Sequence, residues 1–319
     1  MKRLYENAFI DGTDYKLVAD DLLSYRTKVG KLNKGVRCNL NGFSMRAGKV
    51  YLSEINNREP ESEFIELMRE YMLQGVTSIL ALTEIKHACT FEEEISRSLS
   101  YLVNSPIDYA LGVRMNSTKV TPDVVRKFAR YQVPFIVMDF KREEEWKEFV
   151  SEWIVQANFP YHAMLVPLFS FIETWDSDAI ELKLTQLLDE AVLKGLDAFH
   201  YPELLRRREL PKPILMRIGF YPQKGGILTG TDFDFNLYRT NSGNQVEDEL
   251  FLDYDGRDPI ISGLRGELLK VNHQVFLKPG YGQHLKIHRP SFFTASHRNK
   301  KSSVRRSFGA WSVLNRLSH

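Results

Sequence analysis

Short apolar runs alternate with spans of helical spacing between Lys49 and Gly195, and this rhythm restricts the fold more than anything else in the chain. The runs are Lys49-Val50-Tyr51-Leu52, Val76-Thr77-Ser78-Ile79-Leu80-Ala81-Leu82, Asp108-Tyr109-Ala110-Leu111-Gly112-Val113, Phe135-Ile136-Val137-Met138 and Ala163-Met164-Leu165-Val166-Pro167-Leu168. Each reads as a strand. Between them, Glu63 to Leu73 has helical periodicity, with Gly75 where a C-terminal cap belongs. Phe91 to Val103 is a second helix, and Pro122 opens a third with Thr121 as its cap. Lys141 to Ala157 reads as one charged amphipathic helix, and Asp178 to about Gly195 as a long one. Strands and helices in strict alternation argue for a parallel α/β arrangement.

Both flanks have a different texture. Leu4 to Ile10 is strand-like and stops at the turn cluster Asp11-Gly12-Thr13-Asp14. Leu17 to Tyr25 and Lys31 to Val36 continue the pattern, and Asn41-Gly42 suits a tight turn with positive φ. β texture is expected again after Pro211. The expected organisation is therefore residues 1–48 and 211–293 as two parts of one β-domain, residues 49–210 as an α/β domain, and 294–319 as a tail. That tail crowds Arg298, Lys300, Lys301, Arg305 and Arg306 among serines, ahead of Phe308, Trp311, Val313 and Leu314. It reads as a disordered, solvated extension, with a basic anchor for a partner, an acidic surface or a membrane as the sharper alternative.

Composition narrows the class. The 319 residues are 43% hydrophobic and 26% charged, ordinary for a globular protein. A formal net charge of +2 carries no nucleic-acid footprint. Two cysteines, Cys38 and Cys89, exclude a disulfide scaffold. The segment Met1 to Asn7 starts basic without an apolar stretch behind it, and no run approaches the ~18 apolar residues of a membrane span. A cytoplasmic protein is the expectation.

The stretch from Ile218 to Tyr238, Ile-Gly-Phe-Tyr-Pro-Gln-Lys-Gly-Gly-Ile-Leu-Thr-Gly-Thr-Asp-Phe-Asp-Phe-Asn-Leu-Tyr, resembles the segment by which the dihydropyrimidinase, hydantoinase and dihydroorotase branch of the amidohydrolases leaves its barrel for a β-domain. Asp258 to Gly266 and Gly280 to Lys286 resemble later motifs of that branch, and Gly75-Val76-Thr77-Ser78 resembles its second barrel strand. The resemblance implies a TIM-like (β/α) barrel with a small β-sandwich formed by both chain ends. With five strand candidates and no room for more strand–helix units between Gly195 and Pro211, the barrel is expected to be truncated.

The resemblance also implies metal ligands, and at the matching positions they are substituted. Aligned on Ala47-Gly48, Tyr51 stands for the family's aspartate, and Ser53 and Ile55 for its two histidines. Glu54 and Asn56 face away from Ser53 and Ile55 by strand alternation. The bridging lysine falls on Ile136 or Val137, with Lys141 beyond the strand. Leu165 to Phe169 contains no histidine, and the final aspartate lies in the missing segment. No catalytic residue, cofactor or metal is therefore expected. A rearranged zinc site for hydrolysis of cyclic amide C–N bonds would draw on His87, Cys89, His162 and His200. A small-molecule sensor would line the barrel mouth with Tyr51, Ser53, Arg114 and Asp139. The leading expectation is a non-catalytic binding or scaffold protein. A homo-dimer or a protein partner is expected to cover the open edges of the incomplete barrel.

Overall fold

The computed structural model describes residues 2–28, 36–174, 177–240 and 258–291. The chain begins with β1 (Arg3–Ile10), β2 (Thr13–Ala19), β3 (Leu23–Thr27), β4 (Val36–Asn39) and β5 (Phe43–Ala47). Asp11 and Gly12 both take positive φ, 47° and 73°, as the two-residue turn of a tight hairpin requires. Ile10 accordingly pairs with Thr13 across β1 and β2. The basic tail (294–319) lies outside the described residues.

Then come β6 (Lys49–Glu54), α1 (Glu61–Leu73), β7 (Val76–Ile85), α2 (Phe91–Leu102), β8 (Asp108–Asn116), α3 (Pro122–Arg130), β9 (Phe135–Phe140), α4 (Glu143–Lys147), α5 (Ser151–Ala157), β10 (Met164–Phe169) and α6 (Ser177–Leu193). The five strands make a parallel sheet in sequence order, β6 to β10, curled as a half-barrel. The expected truncated barrel is borne out. The predicted cap of α3 is also present: Thr121 accepts from the Val124 amide, with proline in the first turn. The single helix expected over Lys141–Ala157 is instead α4 and α5. Phe149 turns inward to pack edge-on against Phe140 at 5.2 Å, and Lys194 Nζ donates to the Phe149 carbonyl at 2.9 Å, which ends the helical ladder there.

Alternation along the strands builds two cores. Ile79, Ala81, Leu111, Val113, Ile136 and Met138 face α1 to α6 and pack with Phe64, Met68, Ile95 and Phe128. Val50, Leu52, Leu80, Leu82, Ala110, Phe135, Val137, Met164 and Val166 face the other way, toward the barrel interior. There the chain supplies its own filling. α7 (Tyr201–Arg207) and α8 (Lys212–Ile218) place Tyr201, Leu204, Ile214, Leu215 and Ile218 against those strands, with Leu210 and Phe220 beside them. Each side chain so buried contributes roughly 1.5–3 kcal/mol. The β-structure expected directly after Pro211 is thus a helix inside the half-barrel.

The chain around α7 also hydrogen-bonds to both edge strands of the sheet. At β10 the Asp197 amide donates to the Leu165 carbonyl at 2.8 Å, and the Leu165 amide donates to the Asp197 carboxylate at 2.8 Å. At β6 the Leu52 amide donates to the Arg208 carbonyl at 2.7 Å, and the Leu210 amide to the Val50 carbonyl at 2.8 Å. Residues 197–210 thus reach from one edge strand to the other, bonding Leu165 on β10 and Val50 and Leu52 on β6.

After α8 the chain forms β11 (Phe235–Arg239), β12 (Ile261–Leu264), β13 (Glu267–Val271) and β14 (Gln274–Val275). β11 pairs antiparallel with β5, Leu237 opposite Met45. Both chain ends thus join one nine-stranded sheet, with a core of its own around Tyr5, Leu17, Met45, Phe233 and Phe235.

Candidate functional site

Glu54 on β6, Arg114 on β8 and Asp139 on β9 meet at the C-terminal ends of the parallel strands, on the α7 side. The Arg114 guanidinium reaches Glu54 Oε1 at 3.3 Å and Asp139 Oδ2 at 3.2 Å. Tyr201 at the start of α7 donates to Glu54 at 2.6 Å, and Ser170 just after β10 donates to Asp139 at 2.6 Å. Burial, and then the bond to Glu54, raise the Tyr201 hydroxyl far above the ordinary tyrosine range, so it remains a donor. Burial opposes the Arg114 charge, but the Asp139 hydrogen bond and charge outweigh it and raise its pKa. The Arg114 Nε is buried without a partner. Beside this network lies an open groove of about 800 Å³, whose walls include Glu54, Asn56, Arg58, Glu84, Lys86 and His87.

Two of the four expected pocket residues belong here, Arg114 and Asp139. Tyr51 and Ser53 do not. They point to the opposite face, where Ser53 Oγ bonds the Tyr71 hydroxyl of α1 at 2.9 Å and the Tyr51 ring packs edge-on against Tyr71 at 5.5 Å. Burial, with Glu209 and Asp258 nearby, pushes the Tyr51 hydroxyl up to about 12. Alternation along β6 puts Val50, Leu52 and Glu54 on the face toward the half-barrel interior and Tyr51 and Ser53 on the face toward α1. At Gly48 any Cβ would overlap Thr77, the extra residue of β7 at a register irregularity between the two strands. Sequence reasoning missed Tyr201 and Ser170 as members of the site, since both come from segments with no strand signal.

The candidate zinc ligands are dispersed. His87 and Cys89 are exposed beyond β7, and His87 lines the groove. His162 precedes β10, at the other end of the strands. His200 caps α7, where burial holds its imidazole below the ordinary histidine range. None of the four belongs to a group of three or more metal-ligating side chains among the described residues.

The group that does exist, Asp108, Asp232 and Asp234, lies at the N-terminal end of β8 around a lysine. Lys224 Nζ contacts Asp232 at 2.8 Å and Asp234 at 2.7 Å, and also Asp108. Arg265 holds Asp108 from the turn between β12 and β13, and its amide donates to Asp234 at 2.9 Å. Burial works against the Lys224 ammonium, but Asp234, Asp108 and Asp232 outweigh it and raise its pKa. The Lys-Gly and Asp-Phe-Asp elements of the Ile218–Tyr238 motif thus pin the half-barrel to the β-sheet.

No protein-family profile matches the chain, and no curated protein matches it by sequence. Solved structures do match by shape. A dihydropyrimidinase from Brevibacillus agri NCHU1002 superposes with a TM-score of 0.61 at 10% identity, over 92% of this chain and 99% of that one. The fold is that of the hydantoinases and dihydropyrimidinases. A D-hydantoinase from Thermus sp. gives 0.59 at 9% identity, covering 91% and 100% of the two chains. The L-hydantoinase from Arthrobacter aurescens gives 0.53 at 12% identity, covering 89% and 99%. The resemblance carried by the Ile218–Tyr238 motif is borne out as a hydantoinase fold. Within it, the ion network takes the strand ends and α7 and α8 fill the interior.

Proposed function

We propose that this chain is a non-catalytic protein of the hydantoinase fold that binds a small polar molecule in the groove beside Glu54 and Arg114. The observation that carries this reading is Arg114 itself. A fixed guanidinium spans Glu54 and Asp139 at the strand ends, the place where barrel enzymes carry out chemistry. A hydrolytic metal centre needs converging neutral imidazoles or free carboxylates around an open position. Here the carboxylates are engaged by Arg114, Tyr201 and Ser170, and apolar side chains of α7 and α8 fill the space behind. The groove offers both donors and acceptors, from Asn56, Lys86, His87 and Glu84, which suits a polar ligand.

The test is elemental analysis of untagged protein purified without chelators, paired with a ring-opening assay on dihydrouracil and hydantoin. Substoichiometric metal and no ring opening support the proposal. About one zinc, iron or manganese ion per chain together with turnover would replace it with a hydrolase using a rearranged site.

A further inference from the structure

The groove beside Arg114 has two walls, the loop after β6 and the end of β7. Polar side chains of the β6 loop are already engaged. Asn56 donates to Glu59 at 3.2 Å, and Asn57 donates to Ser98 at 2.9 Å. Arg58 lies 3.7 Å from Glu94, which Arg97 also holds at 2.8 Å. Arg114 is likewise committed, to Glu54 and Asp139.

The β7 wall is different. Alternation carries Leu80 and Leu82 into the half-barrel interior. Glu84 continues that face into the groove, Ile85 turns back into the core on the helix side, and Lys86, just past the strand, lines the groove again. Glu84 stands in register with Arg114 on β8, yet the guanidinium is drawn to Glu54 and Asp139 instead. Glu84 and Lys86 are both exposed. Neither side chain has an ion-pair or hydrogen-bond partner among the described residues. One strand end thus offers the groove a free carboxylate and a free ammonium, two residues apart.

That pairing selects among polar ligands. A simple anion would meet Lys86 but also the repulsion of Glu84, and a simple cation the reverse. A molecule carrying both charges is attracted at both ends, through a charge-assisted hydrogen bond at each. Alternate residues of a strand are about 6.6 Å apart, so its charges must be separated by a comparable distance. Resting on the reading of this groove as a polar-ligand site, we propose that its ligand is a linear zwitterion. It is an amino acid with its ammonium at the end of a chain of about four or five carbons, the ammonium on Glu84 and the carboxylate on Lys86.

The test titrates straight-chain amino acids, from glycine to 6-aminohexanoate, into the full chain labelled with 15N-histidine. Binding is read at the amide of His87, which lies in the groove wall. The tightest binding is expected for 4-aminobutyrate or 5-aminopentanoate, about tenfold tighter than butyrate or butylamine. Glu84→Gln should weaken that zwitterion about tenfold and leave butyrate no weaker, and Lys86→Gln should weaken it as much and leave butylamine no weaker. An unchanged urea midpoint shows that each variant is folded. Exchanging the charges, Glu84→Lys with Lys86→Glu, should restore most of the preference, because the ligand can lie end for end. Zwitterions that bind no tighter than butyrate or butylamine overturn this ligand class; if butyramide then binds at His87, the groove still stands as a polar-ligand site. An optimum at glycine overturns the match to the Glu84–Lys86 spacing, and with it the proposal. No shift at His87 with any of these compounds overturns the proposal together with the reading beneath it.

Discussion

At one end of the parallel strands Lys224 sits among Asp108, Asp232 and Asp234; at the other, Arg114 stands between Glu54 and Asp139 beside an open groove. The Lys224 side chain is 1% exposed and that of Arg114 is 32% exposed. Burial decides what each cluster is for. Around Lys224 burial keeps solvent screening of the charges weak, so the four groups depend on one another, and they come from parts of the chain as distant as β8 and the approach to β11. Around Arg114 solvent reaches the pair with Glu54, which holds strand ends in place at modest energy and leaves one side accessible. The closed end is a fastening between half-barrel and β-sheet. The open end is where the proposed ligand would be met, in keeping with the general division of barrel proteins into a stability face and a functional face.

The comparison can be broken most forcefully at Lys224. Lys224→Met leaves buried carboxylates without their cation and should cost about 3–5 kcal/mol, seen as a lower urea midpoint. A loss below about 1 kcal/mol would mean the cluster is hydrated and not a fastening. Next comes the interior filling: Ile214→Ala removes a fully buried side chain of α8 and should cost about 2–4 kcal/mol. If the barrel interior were instead a solvent-filled pocket, this change would be nearly neutral in the same titration. Arg114→Gln should cost only about 1–2 kcal/mol, because the pair with Glu54 is half solvated while Asp139 keeps Ser170. A cost equal to that of Lys224→Met would erase the contrast between the two ends.

The smallest effect concerns pH. Burial lowers the imidazole pKa of His200, with Glu203 opposing and Arg206 assisting, and it lowers that of His284, with Lys286 assisting. The folded chain then binds fewer protons than the unfolded one. Stability contributed by these neutral histidines is complete above the unfolded value of about 6.5 and declines as pH falls through it toward the lower folded values. Urea midpoints at about pH 7.5 and 5.5 should differ in that direction, and His200→Gln should reduce the difference. A midpoint that rises on acidification would contradict the sign.

Much of the fold was legible. The five parallel strands and most helices lie where periodicity and capping place them, because Thr121-Pro122 and the Gly75 terminus act locally. The break between α4 and α5 was not, since there Lys194, just past α6, reaches the Phe149 carbonyl from a distant part of the chain. The site was half legible. Arg114 and Asp139 were found from their places at strand ends, but Tyr51 and Ser53 were assigned to the mouth, whereas alternation puts them on the α1 side and gives the interior face to Val50, Leu52 and Glu54.

Residue order alone determined the alternating strands and helices and the return of both chain ends to one β-sheet. These follow from local periodicity and turn residues. Tertiary structure alone decided that α7 and α8 fill the half-barrel, that residues 197–210 bond both of its edge strands, and that Lys224 lies among three aspartates. Those outcomes depend on groups far apart in the chain burying surface and charge together, and no short window of sequence carries that information.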